Sequence, residues 1–189
     1  MFDSTSLSSD WIRCLLEDRY QVDGRLTAWC AQYDPETLEP RPARSYERVS
    51  LSSKESVGIL RFLMSVDDPG KEIVNAIQSG VKWLDSVRLC HLRIIREPDM
   101  PSPTGFDKIV VSDPDASCLW ARFYQIGSNQ PIFSDRDGKI YQHLSQISSE
   151  RRNECGWLGK WPQSLLRKVY PKWRQKWSVQ ENVLNKREP

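Results

Sequence analysis

Residues 55–89, ESVGILRFLMSVDDPGKEIVNAIQSGVKWLDSVRL, decide the fold class. Val57, Ile59, Leu60, Leu63 and Met64 keep helical apolar spacing until Asp67, Asp68, Pro69 and Gly70 stop it. Ile73, Ile77, Val81, Leu84 and Val87 then recur at steps of four and three, which predicts an amphipathic helix over about 71–89. Two long helices joined by so short a turn predict an antiparallel hairpin. Upstream, Trp11, Ile12, Leu15 and Leu16 follow Ser9 and Asp10, a good N-cap, and predict a short helix over 11–18 closed by Gly24. The stretch 26–34 then leads into a loop made rigid by Pro35, Pro40 and Pro42.

Downstream, 91–96 and 108–112 read as short strands around a loop over 98–105. Residues 119–141, LWARFYQIGSNQPIFSDRDGKIY, are too aromatic and turn-rich for a helix. They predict two extended pieces around Gly127, Ser128 and Asn129, with a tight turn at Asp137 and Gly138. Helix returns over 144–152, and two short helices over 164–169 and 171–182 follow Trp161 and Pro162.

The chain has 189 residues, room for one domain with its own core. With 27 Lys and Arg against 25 Asp and Glu, the net charge of +2 gives no strong global pull toward nucleic acid or an anionic membrane. Anion binding must therefore be local. Apolar runs such as 59–64 fall far short of the ~18 residues that cross a bilayer. Residues 1–11 lack a basic start and an apolar run, so no secretory signal is expected there. Five cysteines (14, 30, 90, 118 and 155) are widely spaced without a CxxC pair, which favours buried free thiols over a zinc site or a disulfide framework.

Neither GxGxxG nor a P-loop occurs, and no GxSxG elbow marks a nucleophilic serine. His91 and His143 lie far apart without metal-ligand spacing and read as structural or exposed. What remains is arginine beside aromatics: Arg44 after the proline-rich loop, Arg122 within WARFY, and Arg136 within SDRDG. A guanidinium grips a carboxylate with two parallel hydrogen bonds, and an aromatic face covers a pyranose ring. Residues 119–161 thus suit an acidic sugar polymer. The same composition also fits ion pairs of Arg122 and Arg136 with Asp135, Asp137 or Glu150.

The strings TAWCAQYDP, PARSYE, LSSKESVGILRFLM, LWARFYQIGSNQPIFSDRDGKIY, ERRNECGWLGKWP and YPKW occur in an order that closely resembles the C-terminal half of the pectate lyases of polysaccharide lyase family ten. The resemblance implies a mainly α fold, an incomplete α/α toroid of paired antiparallel helices with short β-hairpin excursions, truncated on its N-terminal side. It divides the chain into a flexible segment 1–10, a partial toroid over 11–182 and a tail over 183–189. It also implies calcium-assisted β-elimination of polygalacturonate, an acidic polysaccharide partner, and export of the family. In that pattern Arg44 matches the base, and Arg122 and Arg136 match arginines that hold substrate carboxylates.

Arg44 would have to act neutral, although guanidinium ordinarily stays charged. The sequence departs from the family at Tyr33, where histidine is usual, at Ser53 and Asp135, where glycine is usual, and at Glu154 and Cys155. Asp135 is expected to compete for Arg136. The aspartates that bind calcium in the family are missing here, with Asp34 in the matched AQYD string only a possible helper nearby, so the alternative is a non-catalytic, truncated uronate-binding remnant. Helix faces uncovered in such a half-toroid would favour self-association.

Overall fold

The computed structural model describes residues 15–16, 21–22, 25–44, 46–99 and 101–184. Residues 15–16 are helical, but segment 1–10, the rest of the expected helix over 11–18, and the tail beyond 184 lie outside the described residues.

The central hairpin forms as its periodicity predicts. Helix α1 is Ser53–Met64, and α2 is Lys71–Ser86, three residues shorter than expected. Both bury their apolar stripe: Val57, Leu60 and Leu63 on α1, and Ile77, Val81 and Leu84 on α2. Gly80 lets them close on each other, since a Cβ there would stand 2.9 Å from Leu60 and 3.2 Å from the Trp29 ring. Trp29, fully buried, is bracketed by Ser56, whose hydroxyl accepts the Trp29 amide at 3.1 Å.

Around this hairpin the chain makes strands. β1 (Gln21–Val22) pairs with β2 (Arg25–Leu26), and β3 is Leu51–Ser52. β4 (Leu92–Pro98) and β5 (Phe106–Ser112) form a seven-pair antiparallel hairpin from Leu92↔Ser112 to Pro98↔Phe106. The aromatic segment yields β6 (Trp120–Ala121), β7 (Phe123–Tyr124), β8 (Phe133–Ser134) and β9 (Ile140–Tyr141). β8 pairs with β9 through the turn at Gly138, whose φ of 72° suits glycine. A 3₁₀ turn, Leu144–Gln146, precedes α3 (Ser149–Glu154) and β10 (Leu158–Gly159). The final helical run is α4 (Trp161–Ser164), a π-helical stretch Leu165–Val169, and α5 (Tyr170–Lys176). The widened turn falls just ahead of Pro171, which has no N–H to donate.

This architecture overturns the mainly α, incomplete toroid. The described residues hold one long helical pair and five two-stranded antiparallel sheets. The physical reason is that 119–141 finds partners far along the chain: β7 pairs with β3 and β6 with β10. Those ladders clamp α1 and the start of the last helical run to one scaffold. The expected helix over 144–152 also breaks at Ile147 and Ser148, and 177–182 is not helical.

Two apolar clusters result. The larger centres on Trp29, Leu60, Ile77, Leu84, Tyr124, Leu165 and Tyr170. The smaller, Phe123, Ile132, Phe133, Leu144, Ile147 and Trp157, lies beneath the arginine-bearing segment. Tyr124 anchors its strand by donating to the Val87 carbonyl at 2.8 Å and accepting the Ala121 amide at 2.9 Å; burial pushes its phenol pKa up. Among the described residues no helix is long and apolar enough to cross a membrane.

Cysteine pairing corrects the expectation of free thiols. Cys90 and Cys118 are disulfide-bonded, with Cα atoms 4.0 Å apart. Reciprocal hydrogen bonds between Leu89 and Leu119, 2.9 and 2.8 Å, bring the two cysteines together and close the base of the β4–β5 excursion. Cys30 is the buried free thiol, its pKa pushed up to about 11 by desolvation; Cys155 is half-buried and free. Cys14 lies outside the described residues.

Candidate functional site

The rigid loop 41–48 organises the site. Within it, the Ala43 amide donates to the Glu47 carbonyl at 3.1 Å, and the Glu47 amide donates to the Arg44 carbonyl at 2.9 Å. Ser134 on β8 donates its hydroxyl to the Tyr46 carbonyl, which ties the loop to the aromatic segment. Arg44 is exposed and donates from Nη1 to the Tyr46 hydroxyl at 3.0 Å. That hydrogen bond, followed by the charges of Tyr46 and Glu47, holds the guanidinium pKa above its ordinary value. Its charged form is therefore favoured.

The Tyr46 ring is also covered by Arg151, whose guanidinium carbon sits 4.1 Å from the Tyr46 ring centre and 5.6 Å from that of Trp157. Arg151 is only 6% exposed, and its Nε has no hydrogen-bond partner among the described residues. Aromatic faces offset about 0.5–2 kcal/mol, less than the several kcal/mol that burying an ion costs. The Arg151 charge also favours the ionised Asp135 and Glu150, and its open Nε leaves a donor for a further anion.

Arg136 extends from the β8–β9 turn and pairs with Glu150 on α3, with Nε 3.1 Å from the carboxylate. The pair is exposed, and each partner shifts the other toward its charged form. Asp135 does not take Arg136's guanidinium. It accepts instead from the Ser148 hydroxyl at 3.0 Å, the Ser148 amide and the Arg136 backbone amide at 2.7 Å. The competitor expected at Asp135 is thus Glu150, a residue named among the ion-pair alternatives.

Arg122, between β6 and β7, lies on the wall of a cavity of about 160 Å³ that Arg41, Glu47, Arg48, Ser50 and Glu55 also line. Its Nη2 donates to Glu55 at 2.6 Å, while its Nε has no partner among the described residues. Burial alone would raise the Glu55 carboxyl, but hydrogen bonds from Ser52 and Arg122, with the Arg122 charge, leave its pKa lowered. Ser53, where the family pattern has glycine, is fully buried; its amide bonds the Arg122 carbonyl at 2.9 Å and its hydroxyl the Ala121 carbonyl at 2.6 Å. Serine here fastens α1 to the strand that carries Arg122.

A further carboxylate, Asp107, is held below its ordinary pKa chiefly by the Arg152 hydrogen bond. A carboxylate whose folded pKa is lowered contributes its stability above the ordinary value, 3.8 for Asp107 and 4.5 for Glu55, and loses it as pH falls through the lowered one. Unfolding free energy should therefore fall as pH drops through the carboxylate range, below about pH 5. In Asp107→Asn the fall should be smaller. Equal falls in the two chains would remove this pair from the explanation.

Among the described residues no group of three or more His, Cys, Asp or Glu side chains could hold a metal ion. Asp34, the possible calcium helper, caps its own turn by accepting the Glu36 and Thr37 amides at 3.0 Å and pairs with Arg41 at 3.1 Å. The described residues therefore do not fit a calcium site. His91 and His143 are both exposed.

Tertiary structure thus gathers Arg44 and Arg136 beside Tyr46 and places Arg122 in the cavity next to the same loop. Sequence reading missed Tyr46, Arg151 and Glu55. A signal for two of them existed: Tyr46 sits in PARSYE and Arg151 in ERRNECGW, both already singled out, but only packing reveals that Arg151 is buried.

The family model described as pectic acid lyase matches residues 5–166. Among solved structures, a family 10 polysaccharide lyase from Cellvibrio cellulosa is similar at 30% identity and a TM-score of 0.75, over 94% of this chain and 53% of its own. An aspartate-to-alanine mutant of the family 10 polysaccharide lyase from the same organism, in complex with trigalacturonic acid, aligns with a TM-score of 0.73 at 30% identity, over 93% of this chain and 53% of its own. The chain spans about half the length of the solved structures it matches. No curated protein matches it. With the family match extending over most of its length, the chain belongs to the pectic acid lyase family.

Proposed function

We propose that the chain binds polygalacturonate through Arg122, Arg136 and Arg151 and acts on it as a pectate lyase, by β-elimination with Arg44 as base. The observation that carries this reading is Arg151, a buried guanidinium whose Nε has no partner among the described residues, packed on the same Tyr46 ring that Arg44 bonds and Arg136 neighbours. The complex of a relative with trigalacturonic acid supports an acidic polysaccharide as the anion.

In the elimination a base removes the C5 proton, the C4–O4 bond breaks, and the C4=C5 double bond forms. The C5 proton lies α to a carboxylate, so charge develops toward that group in the transition state. A guanidinium fixed against it stabilises that charge. Arg136 must first exchange Glu150 for substrate, a modest penalty because the pair is exposed. Arg122 keeps Glu55 and presents its remaining donors. The resemblance adds calcium to this reaction, but the described carboxylates form no site for it.

A second reading, binding without turnover, is favoured by one observation: the neighbours of Arg44 stabilise its protonated form. Incubation with polygalacturonate and calcium separates the two readings. Growth of ultraviolet absorbance from the new double bond supports the lyase. Retention on immobilised polygalacturonate without such growth supports binding alone. In either case Arg151→Met should weaken retention about tenfold or more; no retention of the parent chain would end both readings.

A further inference from the structure

We infer that Trp161 and Lys54 form an additional uronate-binding position beside Arg122, one sugar unit stacking on the indole while its carboxylate meets the Lys54 ammonium. This deepens the proposed function and rests on it.

The indole of Trp161 is laid against glycine. A Cβ at Gly159 would stand 2.6 Å from the Trp161 ring, and one at Gly156 would stand 3.7 Å from it. Any side chain at Gly159 would therefore evict the ring from its seat. The ring is fixed at its base by β10, where Gly159 pairs with Trp120, and Trp161 is half-buried, so part of it remains open to solvent. Facing it is Lys54, exposed in the first turn of α1, with Nζ 6.0 Å from the ring centre. No protein carboxylate pairs with Lys54 among the described residues.

Lys54 and Glu55 are consecutive, and they hold two different groups: Lys54 lies over Trp161, and Glu55 pairs with Arg122. Ser53, next before them, donates its amide to the Arg122 carbonyl. The aromatic ring and the guanidinium are thus tied to adjoining residues of one helix turn. Pyranose rings present an apolar face to an aromatic ring, and a uronate adds one negative charge at the rim. A rigid indole next to an ammonium with no carboxylate partner among the described residues matches both features, and a neutral hexose would match only the first.

The test is affinity electrophoresis in gels containing polygalacturonate, with trigalacturonic acid as competitor. Lys54→Ala leaves the core untouched, and Trp161→Phe keeps an aromatic ring should Trp161→Ala unfold. Lys54→Ala and Trp161→Ala should each weaken retardation about three- to tenfold, and Trp161→Phe less. In gels of fully methyl-esterified polygalacturonate, Lys54→Ala should have no effect. A parent chain that is retarded while Lys54→Ala and Trp161→Phe both match it overturns this position and leaves the proposed function standing. A parent chain that is not retarded at all overturns the proposed function, and this position with it.

Discussion

Arg44→Lys should lower the formation of unsaturated uronides by about 10²- to 10⁴-fold, the range a positioned proton-transfer group supplies. Retention on polygalacturonate should change little, because lysine keeps the positive charge that attracts the polymer. The two residues differ in geometry: the guanidinium is planar and can bond the Tyr46 hydroxyl through one nitrogen while keeping others open, and the ammonium is a point charge. The split between turnover and binding is what identifies a base. If Arg44→Lys instead forms product at the parent rate, the base lies elsewhere and the Arg44–Tyr46 contact is structural. If it loses retention in proportion to turnover, Arg44 is a carboxylate clamp like its neighbours.

The Cys90–Cys118 disulfide should carry the next largest effect. It closes 28 residues of chain, for which the loss of unfolded-state entropy corresponds to about 3.5 kcal/mol. Replacing both cysteines with alanine should lower the thermal midpoint by roughly 7–14 °C for a domain of this size. The same shift should appear when the parent chain is melted in reductant, since Cys30 is buried and Cys155 has no disulfide partner among the described residues. A midpoint that stays within about 2 °C would mean that the Leu89 and Leu119 ladder alone secures the base of the β4–β5 hairpin. Because neither cysteine lines the cavity that Arg122 shares with the loop, retention on polygalacturonate below the midpoint should persist.

Sequence by itself determined the parts of this protein that depend on local pattern. The apolar periodicity of 57–64 and 73–87 set the helical pair, since one stripe per helix can be buried only against another element. Gly138 marked the β8–β9 turn, and the strands read at 91–96 and 108–112 form as Leu92–Pro98 and Phe106–Ser112, lengthened where they meet across the loop. Ordered motifs also located the family, and they singled out Arg44, Arg122 and Arg136 as the candidates.

What only the tertiary structure decided depends on residues distant along the chain. The short strands of 119–141 could not be assigned partners locally, and their pairing with 51–52 and 158–159 turned an expected helical toroid into a mixed fold. The disulfide joins cysteines that no spacing rule connects. Glu55 meets Arg122 from 67 positions away, and Arg151 reaches Tyr46 across the loop. A charge reads as ordinary in sequence because its cost comes from burial, and burial is a property of everything packed around it.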